Sequence, residues 1–269
     1  MREFFGFGGY TRAAEGFLSW QHLTFVTFLM AVMVALAVLL GLKYKTRSAK
    51  DKNLPLIVAA LMIDGFELFK IVLMCIRGGD PMGWLYELPL FLCSIQLITI
   101  PLAAFSKGRV KEAALDFVFI FGILGAVLGT YGAAQNYGCY PVLSFDNVVS
   151  GITHSISGFA SLYIAISGLA SMKKKNMPIT FAILFTFFFA ALGANSALDY
   201  NYMFLRRGDG TPYDIFYNLV GGNQILYPMI VVLLFVLYIV VFHYIYSLCK
   251  KKKQEDVCTE QEERVEQTV

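Results

Sequence analysis

The sequence predicts an all-α fold, a polytopic membrane helix bundle with seven transmembrane helices, and three observations support this prediction. Hydrophobic residues make up 57% of the 269 residues, charged residues only 15%, and the mean hydropathy is +0.62. A soluble domain of this length needs far more charge to cover its surface. The apolar residues also fall in blocks of about 18 to 25, the length that a helix needs to cross about 30 Å of hydrocarbon. Finally, the loops between the blocks alternate in charge.

Each apolar block is predicted as a helix, because an isolated strand cannot satisfy its backbone groups in hydrocarbon. The predicted spans cover residues 20–42, 54–76, 87–105, 113–133, 150–172, 178–198 and 223–248. The second span is the least apolar and the third is short, which leaves six spans as the alternative.

Basic residues predict the orientation of the bundle. Loops 43–53, 106–112 and 173–177 and the tail are rich in Lys and Arg, whereas the intervening loops hold few. The positive-inside rule therefore places the N-terminus outside and the C-terminus in the cytoplasm, and the regular alternation favours seven spans. We expect an extracellular N-terminal segment over 1–19, a transmembrane domain over 20–248 and a disordered cytoplasmic tail over 249–269. The plasma membrane is the predicted location, and the endoplasmic reticulum remains an alternative.

Polar side chains from several predicted spans fall at a similar depth, in the outer half of the bundle. At 1.5 Å of rise per residue, Cys93 lies about 9 Å below the start of span three and His154 about 6 Å below that of span five. Intramembrane ionisable groups are costly and usually face a cavity or one another. We therefore predict a polar pocket. Its predicted substrate-binding residues are His22, Asp64, Glu67, Lys70, Gln96, Asn195, Asp199, Asn201, Asn223 and Gln224.

Structural interpretations of the same residues stay open. Glu67 and Lys70 are three positions apart and can form an ion pair on one helix face. A single cysteine in a helix is most often a small packing residue. The stretch FGILGAVLGTYGA places four glycines on one helix face, a pattern typical of close helix packing in lipid. These glycines are Gly122, Gly125, Gly129 and Gly132.

Cys93 and His154 are the candidate catalytic residues. A thiolate is a strong nucleophile when a neighbouring histidine stabilises it, so this function requires the two side chains to touch. The three histidines have no metal-binding spacing, and no phosphate-binding or dinucleotide-binding fingerprint is present, so we predict neither a metal nor a cofactor. The five cysteines show no paired spacing, which leaves a disulfide between Cys75 and Cys139 open. Membrane lipids are the predicted partners. Nucleic acid is not, because the basic run at 250–253 is explained by a helix exit.

Four motifs resemble the YwaF-like family of seven-span integral membrane proteins. They are SWQH at 19–22, LPLFLCSI at 88–95, Thr-His-Ser at 153–155 and NYMFLRR at 201–207, and the resemblance covers about residues 22–246. A related eukaryotic branch contains a transmembrane acyltransferase that places polyunsaturated acyl chains on ether phospholipids through a cysteine nucleophile.

The resemblance implies that Cys93 carries the acyl group as a thioester and that His154 acts as general base. It also implies that Glu67, Gln96 and Asn201 orient the histidine or bind a headgroup. The sequence departs from the bacterial pattern at Phe91, where a histidine is usual, and the loop before span five, CYPVLSFDNV, lacks the usual Pro-His-Phe. His154 and His22 are then the only available bases.

Three functions follow from these observations. The first is a lipid acyltransferase or lipid hydrolase that uses Cys93. The second is a transport or binding protein in which Asp64, Glu67, Lys70 and Asp199 line a substrate path. No inverted repeat and no pair of interrupted helices supports this second function. The third is an accessory membrane protein without chemistry.

Overall fold

The part of the chain that the computed structural model describes contains nine α-helices and three short 3-10 turns. This part comprises residues 2–266 for the backbone and 2–251 for the side chains, and it contains no strand. The helices are α1 (Trp20–Tyr44), α2 (Ala49–Gly78), α3 (Gln96–Phe105), α4 (Gly108–Tyr131), α5 (Ala134–Cys139), α6 (Phe145–Ser167), α7 (Met177–Leu198), α8 (Asp214–Leu219) and α9 (Leu226–Glu266). The 3-10 turns are Gly83–Tyr86, Lys174–Asn176 and Tyr202–Phe204.

Five helical segments in the described chain are long and apolar enough to cross a membrane. They are Trp20–Tyr44, Gly108–Cys139, Phe145–Ser167, Lys174–Leu198 and Leu226–Lys251. These correspond to predicted spans one, four, five, six and seven. Helix α2 is 30 residues long, but Asp64, Glu67 and Lys70 lie close together within it and make it less apolar than a lipid-facing span. The all-α, polytopic prediction is confirmed, and the count of seven spans stays a prediction.

The third predicted span, 87–105, is helical only in its second half. Helix α3 begins at Gln96, and its 10 residues extend about 15 Å, half of the hydrocarbon thickness. Pro89 disfavours helical geometry at Leu88 and cannot donate a backbone hydrogen bond. The Ser94 hydroxyl accepts the N–H of Phe91 (3.0 Å) and donates to its carbonyl (3.1 Å), which closes a local turn in place of a helix. Residues 88–95 therefore form an irregular segment, called here the Cys93 segment.

Helix α6 is the centre of the packing, and it contacts α4 and α1 most extensively and α2 next. Small residues allow the close approach of α4 and α6. A Cβ at Gly122 would lie 2.7 Å from the Ser157 carbonyl oxygen, and one at Gly158 would lie 2.8 Å from the Ala126 Cβ. Because lipid is as apolar as a leucine side chain, such close van der Waals contact stabilises helix pairs in a membrane.

The N-terminal segment is fastened to the ends of α2 and α6. Arg77 near the end of α2 makes two hydrogen bonds to Asp146 in the first turn of α6, at 2.8 and 3.0 Å. Tyr10 donates a hydrogen bond to the same carboxylate, and the carbonyl of Phe4 accepts the N–H of Phe145 (2.9 Å). Burial and the Asp146 carboxylate raise the pKa of Tyr10 to about 12, so its hydroxyl stays a donor at neutral pH. These bonds fix the start of the helix that carries His154.

We expect Arg77→Met to destabilise the protein by about 2 to 3 kcal/mol, because it leaves the mostly buried Asp146 carboxylate without its cation. Thermal unfolding in detergent measures the change. Arg12→Met is the matched control, since Arg12 pairs with Glu15 on an exposed surface and the pair contributes under about 1 kcal/mol. Equal stability losses in the two variants would contradict the prediction.

The chain divides into two compact units, one up to Arg206 and one from Arg207. In the second unit the side chain of Asn223 accepts hydrogen bonds from the N–H groups of Ile225 (2.9 Å) and Leu226 (3.0 Å), which caps the start of α9. The tail, predicted as disordered from residue 249, continues α9 to Glu266, and residues 267–269 lie outside the described chain.

Candidate active site

Cys93 and His154, which are far apart in the sequence, meet in the first unit. Their thiol and imidazole groups lie close enough to interact. Cys93 lies in the Cys93 segment just before α3, and His154 lies in the third turn of α6. Both residues are only partly exposed, so they are shielded and yet reachable. The contact that nucleophilic chemistry requires is therefore present.

Two glycines of α4 pack closely against Cys93 and His154. A Cβ at Gly125 would lie 3.4 Å from the Cα of Cys93 and 3.5 Å from its Cβ. A Cβ at Gly129, one turn further along the same face, would overlap the His154 ring at Cδ2 and Nε2. Part of the glycine stripe that predicts helix packing thus makes room for the nucleophile and for the base.

The hydrogen bonds of His154 determine which ring nitrogen can accept a proton. Its Nδ1 lies 2.7 Å from the Ser150 carbonyl oxygen, one helical turn earlier. A carbonyl oxygen only accepts hydrogen bonds, so Nδ1 carries the proton and donates it. In the neutral ring, Nε2 is then the basic nitrogen. The thiol of Cys93 lies next to this ring.

Backbone dipoles are also directed at the Cys93 sulfur. The backbone N–H groups of Cys93 and Ser94 lie near it. Helix α3 begins three residues after Cys93, and the N-terminus of a helix carries a partial positive charge. These dipoles stabilise negative charge on the sulfur, as in thiol enzymes whose cysteine lies at a helix N-terminus.

A charged triad lies next to the pair. Lys70 on α2 contacts Glu67 at 2.6 Å and Glu87 at 2.9 Å. The ion pair predicted from the spacing of Glu67 and Lys70 is thus present, and it includes a third member that immediately precedes the Cys93 segment. The triad therefore links α2 to Glu87, the residue before the Cys93 segment.

His22, the other base predicted from the sequence, has a structural position. It is fully buried, and its ring centroid lies 3.9 Å from that of Tyr137. Nδ1 accepts the N–H of Leu18 (3.1 Å), and Nε2 donates to the Thr130 carbonyl (3.0 Å). Both nitrogens are therefore engaged, and the bond to Thr130 holds α1 against α4. His154 is the histidine next to the thiol.

Two asparagines of the predicted pocket hydrogen-bond to the backbone of the turn that follows α7. The Asn195 side chain accepts the N–H of Tyr202 at 2.6 Å and donates to its carbonyl at 3.0 Å. The side-chain oxygen of Asn201 accepts the N–H of Arg206 at 2.8 Å. Asp199 ends α7 in a left-handed conformation, pairs with Arg206, and exposes 90% of its side chain. These three residues organise the connection after α7.

The remaining predicted pocket residues have different surroundings. Gln96 is fully buried, and its side-chain oxygen accepts the Thr99 hydroxyl at 3.0 Å. Asp64 is half-buried in α2 and forms no hydrogen bond or ion pair with the described part of the chain. Asn223 and Gln224 belong to the second unit, in which Asn223 caps the start of α9.

Comparison with known families identifies the family of the chain. The model of the TMEM164 family matches residues 17–249, most of the sequence. The chain belongs to the TMEM164 family. Searches of curated proteins and of solved structures find no match. The match identifies this TMEM164 family member as an integral, multi-pass membrane protein, in agreement with its five apolar helices.

Sequence reasoning missed one feature of this TMEM164 family site. Ser150, whose carbonyl determines the histidine tautomer, gives no signal beyond its i, i+4 spacing to His154. The described side chains contain no cluster of three metal-binding groups. Cys75 and Cys139 are both free thiols.

Proposed function

We propose that this TMEM164 family member is a membrane-embedded lipid acyltransferase, with Cys93 as nucleophile and His154 as general base. Lipid hydrolysis is the same chemistry with water as the acceptor. One observation carries the proposal: the thiol meets a histidine whose Nδ1 is committed to the Ser150 carbonyl, which leaves Nε2 basic. Acyl transfer needs a nucleophile, a base in contact with it, and a group that orients the base.

The residues present are sufficient for a two-step mechanism. In the first step Nε2 of His154 takes the thiol proton while sulfur attacks the ester carbonyl carbon of a lipid, which forms a C–S bond and an oxyanion. Collapse of this intermediate breaks the ester C–O bond, and the departing alkoxide takes the proton from the imidazolium. The products are an acyl thioester on Cys93 and a lysolipid.

In the second step a hydroxyl group attacks the thioester. His154 removes the proton of the attacking hydroxyl, and the C–S bond breaks as the new ester bond forms. The thiolate then recovers the proton from the imidazolium. A lysolipid hydroxyl gives acyl transfer, and water gives a free fatty acid. A covalent intermediate of this kind predicts ping-pong kinetics.

A membrane setting gives the site access to such substrates. We propose that the N-terminus lies outside and that the pair lies in the outer half of the bundle, about 9 Å deep, near the depth of glycerol esters. Residues 1–19 would be extracellular and residues 249–269 cytoplasmic. Each irregular or charged segment would then line the protein interior, as the bilayer requires.

Transport is the less supported function. Of the residues predicted to line a path, Lys70 is held by two carboxylates, and Asp199 lies exposed at the end of α7. The Cys93 segment does interrupt a predicted span. Transporter sites, however, are typically built from a pair of interrupted helices in matching halves.

The rate of Cys93 alkylation in native membranes tests the proposal. In a variant that keeps only Cys93 and the exposed Cys139, we expect His154→Ala to slow iodoacetamide labelling of Cys93 about tenfold at pH 7, because the thiolate loses its partner. The rate at Cys139 is the internal control and stays constant. Equal rates at Cys93 with and without His154 would refute the nucleophile. A hydroxylamine-labile acyl label on Cys93 from a fluorescent phospholipid would identify the intermediate.

A further inference from the structure

The Cys93 segment needs external support, because it is irregular backbone within a membrane bundle. Helices satisfy their own N–H and C=O groups, whereas residues 88–95 do not form a continuous helix. Irregular backbone at membrane depth is tolerated only where protein groups or water satisfy it. The side chains that hydrogen-bond to this segment therefore determine where it lies.

The Tyr202 side chain hydrogen-bonds both to Leu85, which lies just before this segment, and to Leu88, its first residue. Its hydroxyl donates to the Leu85 carbonyl at 2.5 Å and accepts the N–H of Leu88 at 3.3 Å. Leu85 belongs to the 3-10 turn before the segment, and Leu88 is its first residue. Tyr202 is fully buried, so neither backbone group has water as a ready substitute.

Tyr202 itself is rigidly held. Asn195 binds both its N–H and its carbonyl, which fixes the backbone of Tyr202 to the last turns of α7. The next residues, Met203 and Phe204, have positive φ angles of 56° and 54°, a backbone conformation that residues other than glycine rarely adopt. Such geometry persists where surrounding contacts determine it, and the two hydrogen bonds between Asn195 and the Tyr202 backbone are among these contacts.

The ring of Tyr202 extends the contact towards the nucleophile. Its centroid lies 5.3 Å from that of Phe91, two residues before Cys93. Phe91 therefore supports the segment by aromatic packing against this ring. A second attachment, Lys70 to Glu87, fixes the residue just before the segment to α2.

We propose that Tyr202 is a positioning residue, which holds Cys93 against His154 through its hydrogen bonds to Leu85 and Leu88. The inference rests on the proposed function. Its physical reason is the steep dependence of proton transfer and attack on distance, since a displacement of about 1 Å can cost about a hundredfold in rate. Tyr202 does not touch the reacting atoms.

Tyr202→Phe tests the inference, because it removes the hydroxyl and keeps the ring. Tyr137→Phe is the matched control: Tyr137 is equally buried, and its hydroxyl has no hydrogen-bond partner among the described residues. The readout is the factor by which His154→Ala slows alkylation of Cys93. We expect about tenfold in the wild type and with Tyr137→Phe, and under about threefold with Tyr202→Phe. Should Tyr202→Phe not accumulate in membranes, Asn195→Ala is judged by the same criterion.

A purely structural role for Tyr202 would lower the unfolding temperature and leave this factor at about tenfold, and that result would overturn the inference. Hydrogen exchange of peptides covering residues 85–95 is the second readout. We expect faster exchange with Tyr202→Phe and no change with Tyr137→Phe, and unchanged exchange in both would also overturn it. If His154→Ala has no effect in the wild type, the proposed function fails, and the role of Tyr202 fails with it.

Discussion

Gly129→Ala is expected to slow Cys93 alkylation to the rate of the His154→Ala variant and to reduce acyl transfer by about a hundredfold or more. A methyl group at this position would occupy the space of the His154 ring at Cδ2 and Nε2. The imidazole must then rotate away from the thiol, and its hydrogen bond to the Ser150 carbonyl must break or distort. Alkylation and acyl-transfer rates in the same membranes measure both effects.

Two other glycines of the same helix face provide the controls. Gly125→Ala places a Cβ at 3.4 Å from Cys93, an ordinary contact, so we expect less than about a threefold change in alkylation. Gly122→Ala meets the Ser157 carbonyl at 2.7 Å and should lower the unfolding temperature, while the remaining folded protein keeps its dependence on His154. If Gly129→Ala labels Cys93 at the wild-type rate, the proposed arrangement of base and nucleophile is wrong.

The shared depth of Cys93 and His154 predicts their approach, but depth alone does not establish a contact. Depth follows from the sequence because each helical residue adds 1.5 Å. Whether two side chains at one depth touch depends on how the helices are rotated about their axes. In this protein the rotation is set by α4, whose glycines receive both groups. The sequence showed the glycine stripe and left open which helices it faces.

The third span was predicted as a helix because its apolar residues are continuous, and hydropathy does not distinguish a helix from an irregular segment that the protein buries. Pro89 and the Ser94 side chain are local signals of the interruption. The backbone groups freed by the interruption are satisfied in part by Tyr202, more than a hundred residues away in sequence. Contacts of that range cannot be derived from one sequence without an alignment.

The pocket predicted from polar residues separates into groups that hydropathy could not distinguish. Asn195 and Asn201 satisfy the backbone of a turn, and Asp199 faces away from the protein interior. Glu67 and Lys70 form both the predicted ion pair and a connection to Glu87. A polar side chain in a membrane bundle serves either backbone satisfaction or chemistry, and only its partners show which.

His22→Ala is expected to destabilise the protein by about 2 to 4 kcal/mol, because it leaves the Leu18 N–H and the Thr130 carbonyl without their partner and opens a cavity beside Tyr137. Thermal unfolding in detergent measures the loss. In the folded fraction, the rate of Cys93 alkylation should match that of the wild type.

His154→Ala should show the reverse, with slow alkylation of Cys93 and a smaller loss of stability, since His154 is partly exposed and bonds mainly to a carbonyl of its own helix. Comparing the two variants separates a histidine that joins helices from one that acts as a base. A His22→Ala protein that stays fully stable but labels Cys93 slowly would reverse the assignment, because sequence depth alone allows either imidazole to serve the thiol.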